Sequence, residues 1–181
     1  MNDFEQLVDR HYAPLYRFAF SLAKNAGEAA DLTQQTFYLW AAKGHQLRDR
    51  SKVKSWLFTT LYREYVSIYR HHAKFPHVEL DDAAPEIPSI APSIFNDIDG
   101  GTVVAALSRV DEVFRAPLTL FYLEEHSYKE IADILDIPIG TVMSRLSRGK
   151  AQLRQLLLEG RGEGVRKIVP MHGDTGAKGG G

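Results

Sequence analysis

Apolar side chains recur every three or four positions along most of this chain, a spacing that predicts helices and not strands. Phe4, Leu7, Val8 and His11 or Tyr12 fall on one face of a first helix that Asn2 or Asp3 can cap. Pro14 either kinks that helix or opens a new one carrying Leu15, Phe18, Ala19 and Leu22. Asn25, three residues before Glu28, gives a second capped start, and Ala30, Thr33, Phe37, Trp40 and Ala41 then face inward. Lys43-Gly-His marks the end of that helix. After a polar loop over residues 46–52, a helix runs from Val53 to about His72, with Trp56, Leu57, Leu61, Tyr65 and Ile68 available for a core.

Helical spacing returns over residues 101–158. Leu107, Val110 and Phe114 belong to one helix and Leu118, Phe121 and Tyr122 to the next, with Pro117 near their boundary. Ser127 and Glu130 then form a capping box ahead of Ile131, Ala132, Ile134 and Leu135, and Pro138 and Gly140 punctuate the chain. In the following helix Val142, Leu146, Gly149 and Leu153 share one face, with Thr141, Ser144, Arg145 and Arg148 opposite. Between residues 141 and 158 stand Arg145, Arg148, Lys150 and Arg154 and no acidic residue. Two helices joined by a short break, the second with an apolar seam backed by short polar and arginine side chains, make a helix-turn-helix suited to the major groove. Small Ala132 allows the two helices to approach, and the unmixed charge sets this face apart from a salt-bridged surface helix.

The two helical stretches differ, and what separates them differs again. Residues 75–100 hold Pro76, Pro85, Pro88 and Pro92, six acidic residues and no Lys or Arg, which reads as an extended, flexible acidic linker. The expected organisation is all-α: a helical domain over 1–74, the linker over 75–100, a helix-turn-helix domain over 101–158 and a disordered Gly-rich tail over 159–181. With 22 basic and 23 acidic residues the net charge is −1, so nothing global marks a nucleic-acid partner; the charge is segregated instead. The absence of cysteine excludes disulfides and cysteine-ligated zinc. The acidic N-terminus lacks a signal-peptide pattern, and no apolar run approaches the ~20 residues that span a bilayer. A cytoplasmic protein without membrane insertion is expected.

Segregation is sharpest over residues 43–74, where Lys43, Arg48, Arg50, Lys52, Lys54, Arg63, Arg70 and Lys74 face only Asp49 and Glu64. Trp56, Phe58, Tyr62, Tyr65 and Tyr69 are interleaved with them. Cations neutralise phosphates and exposed aromatics stack on unpaired bases, so the combination suits a separated strand. The preceding helix carries Asp31, Gln34, Gln35 and Tyr38, a polar surface without cations that would repel phosphate and suits a protein contact.

These pieces together resemble the extracytoplasmic-function group of bacterial RNA polymerase sigma factors. The resemblance covers roughly residues 4–158 and rests on Asp31-Leu-Thr-Gln-Gln-Thr-Phe37 with Trp40, on Lys54-Ser-Trp-Leu-Phe58, and on the helix-turn-helix. It implies a region 2 bundle and a region 4 helix-turn-helix. Asp31, Leu32, Gln34, Gln35 and Phe37 would serve core-polymerase binding, on the clamp helices of the largest subunit. The flap region of the polymerase is a further implied contact. Arg48, Arg50, Lys52, Lys54 and Trp56 would hold the minus-ten element with a flipped base, and Arg63 and Arg70 its phosphates. Thr141, Ser144, Arg145, Arg148 and Lys150 would read the minus-thirty-five element as duplex. An anti-sigma factor is a further implied partner, and the linker would thread toward the active-site cleft. Where members carry Asn and, four residues on, Asp, this chain has Arg63 and Ser67.

The rival reading is a stand-alone helix-turn-helix regulator that binds operator DNA as a dimer, which leaves the basic, aromatic N-terminal section unexplained. No catalytic motif, phosphate-binding Gly loop or cofactor site is legible. His71, His72 and His77 beside Glu79, Asp81 and Asp82 match no zinc-ligand spacing.

Overall fold

The structure, a computed structural model, describes residues 3–74 and 98–165, with side chains over 3–69 and 102–159. Seven α-helices are described: α1 (Asp3–Ala23), α2 (Ala26–Lys43), α3 (Val53–Lys74), α4 (Ile98–Arg109), α5 (Glu112–Tyr122), α6 (Tyr128–Leu135) and α7 (Ile139–Val165). Single 3-10 turns at Gly44–Gln46 and Arg50–Lys52 join α2 to α3, and no strand occurs among the described residues. The expected all-α, two-domain architecture is what the chain adopts.

In the first domain α1, α2 and α3 pack pairwise on one another. Leu15, Phe18, Ala19 and Leu22 of α1 meet Ala29, Leu32, Phe37 and Trp40 of α2 and Leu57, Phe58 and Leu61 of α3. Thr33 and Thr36 are also buried, and their hydroxyls donate to the carbonyls of Ala29 and Leu32 at 2.7 Å, so neither leaves a polar atom unsatisfied. Pro14 does not open a new helix: α1 continues through it, held by buried Leu15, Phe18, Ala19 and Leu22 after it and by half-buried Leu7 and Val8 before it. Lys24, left-handed at φ 56°, ends α1, and Asn25 caps α2 by accepting from the Glu28 N–H at 3.0 Å. Ala41 and Ile68, expected inside, are exposed, because Leu32 and Thr36 take the inward positions of α2 and Leu57 and Leu61 those of α3.

The second domain breaks earlier than its prolines suggest. Val110 and Asp111 separate α4 from α5, which places Phe114 and Leu118 on one helix and Pro117 inside it. The Ser127–Glu130 capping box forms in both directions, at 2.8 and 3.2 Å. Asp136 supplies the left-handed residue of the turn (φ 52°), whereas Gly140 lies in the first turn of α7. Asp can adopt this conformation because its short polar side chain tolerates it. Val142, Leu146, Gly149 and Leu153 are buried along α7, as their spacing predicts. Gly149 is required by close packing: a Cβ there would stand 2.8 Å from Phe114 Cβ and 2.9 Å from Leu118 Cδ1. The helices also extend past the expected edges, since residues 98–100 belong to α4 and 159–165 to α7. Glu159 accepts from Gln155 Nε2 at 3.2 Å, which supports the longer α7. The remaining linker and tail positions, and His77 with its acidic neighbours, lie outside the described residues; His71 and His72 lie outside the described side chains.

Helix α5 packs on α1, and α6 on α3, so the two domains share one continuous apolar core.

Candidate DNA and polymerase interfaces

Helix α7 presents an exposed surface opposite the buried seam. Gly140, Met143, Ser144, Ser147, Arg148 and Ala151 are exposed, a set generated by offsets of three and four from Gly140. Ser144 and Arg148 therefore stand where the sequence puts them, and Lys150 is exposed beside them. Thr141 and Arg145 do not: both are half-buried on the flank of the seam. Arg145 turns toward the other domain and lines a cavity of about 310 Å³ with Tyr62, Tyr65, Glu112 and Arg115. Ser147 and Met143, which the sequence reading omits, lie on the exposed side, and the same helical offsets would have found Ser147.

In the first domain a second surface is organised around Trp40. Its ring covers Gly44, where a Cβ would come within 2.5 Å of it. Trp56 meets the same ring edge-on at 5.2 Å, and the Arg50 guanidinium lies 5.9 Å from its centroid. Asp49 ties the following turn by accepting from Ser51 N–H at 3.0 Å and Ser51 Oγ at 2.6 Å, bonds that hold its carboxyl below the usual range. Arg48, Arg50 and Lys52 are exposed on this scaffold, with Arg63 exposed further along α3. Lys54 and Trp56 are half-buried, and Arg70 lies outside the described side chains. Of the interleaved aromatics, Phe58 is wholly core, packed at 5.5 Å on Phe18; Tyr69 is exposed and Tyr62 and Tyr65 are partly so.

Helix α2 supplies a third surface. Asp31, Gln34 and Gln35 are exposed at helical offsets of three and four, beside an exposed Tyr38. Leu32 and Phe37, grouped with them by sequence, are 4% and 6% exposed. They hold α2 in the bundle and leave its exposed face to the polar residues. Asp31 and Gln35 also border a groove floored by Leu22, Leu32, Tyr65 and Ile68.

Comparison with known proteins decides what carries these three surfaces. The sigma-70 region 2 family matches residues 7–75, and the sigma-70 region 4 family residues 101–153. The ECF RNA polymerase sigma factor SigL of Mycobacterium tuberculosis is 30% identical over 84% of this chain and 88% of its own length. The chain belongs to the ECF sigma factors. It is an alternative sigma factor, a DNA-binding factor that directs transcription initiation. SigE of Mycolicibacterium smegmatis is 31% identical over 87% of the chain, which spans 62% of that relative's length. Among solved structures, the sigma factor RpoE of Bartonella quintana, in complex with the anti-sigma factor NepR, superposes with a TM-score of 0.69. That match has 28% identity and covers 87% of this chain and 98% of RpoE. The matched families are sigma-factor regions, no enzyme family is indicated, and nothing favours a stand-alone dimeric regulator. No described helix of this sigma factor is long and apolar enough to cross a membrane, and no metal-ligand cluster occurs among the described residues.

The sigma factor's domains also meet through a polar contact that sequence reasoning missed. Arg17 of α1 grips Glu124, 107 positions away, with Nε at 2.9 Å and Nη2 at 3.2 Å from its two carboxylate oxygens. Lys54 Nζ donates to the Glu124 carbonyl. Arg115 donates to the carbonyls of Ser21 (3.2 Å) and Val110 (3.0 Å), and Tyr65 Oη donates to Glu112 at 3.2 Å. Burial raises the Glu124 carboxyl, against the opposing effect of Arg17 and Lys54. Burial, with Lys54 nearby, lowers His126 to about 4. The 3.8 Å approach of His126 Nδ1 to Glu130 is therefore a contact of a neutral ring and not an ion pair.

Proposed function

We propose a division of labour in which the chain grips a promoter at two places and polymerase at a third. Ser144, Ser147, Arg148 and Lys150 of α7 read the minus-thirty-five element in the major groove, with Met143 available to a thymine methyl. Thr141 and Arg145 contribute at the edge of that contact. The surface built on Trp40 engages the minus-ten element: Arg48, Arg50, Lys52, Lys54 and Arg63 meet phosphates, together with Arg70. Trp56 stacks on the strand freed by melting. A flipped base held there would offset the few kcal/mol that unstacking costs.

Asp31, Gln34 and Gln35 contact the core polymerase at the clamp helices of its largest subunit, on a helix kept in place by Leu32 and Phe37. The polymerase, through its flap region as well, holds the second domain and supplies the chemistry; the chain performs no catalysis and requires no cofactor or metal. We assign it to the cytoplasm, where polymerase and promoter are found. An anti-sigma factor is its further partner, supported by the resemblance to RpoE, which was solved with one bound.

The observation that carries this reading is the exposure of Asp31, Gln34 and Gln35 on one helix while the cations cluster on other surfaces. A gel shift on promoter DNA with and without core polymerase tests it. Binding that requires core supports the proposal; tight binding as a dimer without core contradicts it.

A further inference from the structure

The cavity beside Arg145 has no role in the contacts proposed above. It lies among α1, α3, α5, α6 and α7, holds about 310 Å³, and is walled on its apolar side by Leu22, Val113, Pro117 and Leu135. Tyr62 and Tyr65 add ring surface, and two guanidinium groups reach the same space from different helices, Arg115 from α5 and Arg145 from α7. A concave space of this size, largely apolar with a few convergent polar groups, is the usual form of a small-ligand site.

The charges around it do not balance. Arg115 is 5% exposed; its Nη1 and Nη2 donate to the carbonyls of Ser21 and Val110, and its Nε is buried without a hydrogen-bond partner. Burial lowers the pKa of Arg115, against the opposing effect of Glu112, Tyr65 and Asp111. Arg145 is half-buried and has no hydrogen bond or ion pair among the described residues. Glu112 is the sole acidic residue of the lining, and it already accepts from Tyr65 Oη at 3.2 Å. Burial and the nearby Glu112 push Tyr65 up to about 12, so that hydroxyl keeps its proton and stays a donor. Two cations therefore share one engaged carboxylate. A guanidinium drawn out of water without a counter-ion is costly, and its planar fork matches a carboxylate in geometry.

We propose that this cavity binds a small organic carboxylate, whose anionic group pairs with Arg145 beside Arg115 while its apolar body lies against Tyr62, Tyr65 and the aliphatic wall. Inorganic phosphate would satisfy the charge and not the wall; a neutral aromatic would satisfy the wall and not the charge. Because the site draws on five helices at once, an occupant that binds only the folded chain raises its stability.

Sodium benzoate is the probe, titrated into the full chain at constant ionic strength. Heteronuclear NMR and thermal unfolding follow binding, with benzyl alcohol and sodium phosphate titrated in parallel. Benzoate should bind saturably at millimolar concentration or below, shift the signals of Tyr62, Tyr65 and the Arg145 Nε–H, and raise the melting temperature. Benzyl alcohol and phosphate should each bind roughly tenfold more weakly or worse, the ratio expected when a charge-assisted hydrogen bond or the apolar contact is lost. Arg145→Gln should weaken benzoate by a similar factor. Val113→Trp, at a position 53% exposed on the rim of the wall, should fill the cavity and abolish binding. Circular dichroism establishes that each variant is folded. No saturable benzoate binding by the wild-type chain overturns the site. So does undiminished binding in either folded variant, and so does phosphate or benzyl alcohol that binds as tightly as benzoate.

Discussion

The imidazole of His126 stands edge-on to the ring of Phe58, with centroids 4.8 Å apart, and joins the turn before α6 to the second turn of α3. Because burial brings His126 down to about 4, its neutral form belongs to the folded chain. The stability this provides is fully present above the ordinary value of 6.5 and is lost as pH falls from there toward 4, since the unfolded chain binds the proton first. The neighbouring Lys54 acts in the same sense and Glu130 opposes it, while the raised Glu124 carboxyl, paired with Arg17, has the reverse pH dependence. Denaturant unfolding of wild type and His126→Leu should therefore converge in stability as pH falls from 6.5 to 4. A pH-independent difference would contradict the assignment.

Two glycines of α7 should respond oppositely to alanine. At Gly140 a new Cβ meets nothing within 4 Å, so the better helix propensity of Ala should stabilise the fold by about 0.5–1 kcal/mol. At Gly149 it would collide with Phe114 and Leu118, and overpacking should cost about 1–3 kcal/mol despite the same propensity gain. Thermal unfolding of the two variants measures both signs.

Removing the Ser127 hydroxyl takes away the acceptor for the Glu130 N–H at the start of α6. Ser127→Ala should cost about 1 kcal/mol. Because α6 supports the reading helix, the same variant should weaken promoter binding only as far as it unfolds the domain. Comparing DNA affinity at 10 °C and near the melting temperature separates the two effects.

Much of the architecture was legible because its signals are local. Asn25 and the Ser127–Glu130 box act within one helical turn, and the seam from Val142 to Leu153 repeats with the helix itself. Pro117 misled, and a new helix at Pro14 did not form, because the cost of each proline is outweighed by buried neighbours such as Leu15, Phe18 and Leu118, whose positions depend on the whole fold. Asp136 gave no signal as a left-handed residue because Pro138 and Gly140 are the stronger turn formers nearby. Least legible was the closed joint. Glu124 lies in a Leu-Glu-Glu-His stretch that reads as a solvated turn, and nothing within reach of a helical period points to Arg17. Arg145 lines the cavity with Tyr65, Glu112 and Arg115, although its offsets from Thr141 and Arg148 place it on the polar side.

The three surfaces should fail independently. Arg148→Ala should lower duplex minus-thirty-five affinity by about 1–3 kcal/mol if it contacts a base, with core binding unchanged. Asp31→Ala with Gln35→Ala should lose core binding and leave the folded DNA surfaces intact. Competition binding against labelled core and labelled promoter fragments distinguishes the two patterns, and equal losses in both would contradict the division of labour.

Run-off transcription with purified core polymerase on a promoter library tests the central claim most directly. The wild-type chain should confer initiation at a shared pair of elements, Arg148→Ala should relax or abolish selection at the upstream one, and the Asp31 and Gln35 double variant should confer none. Failure of the wild-type chain to direct any initiation, with no binding to core, would contradict its role as a sigma factor.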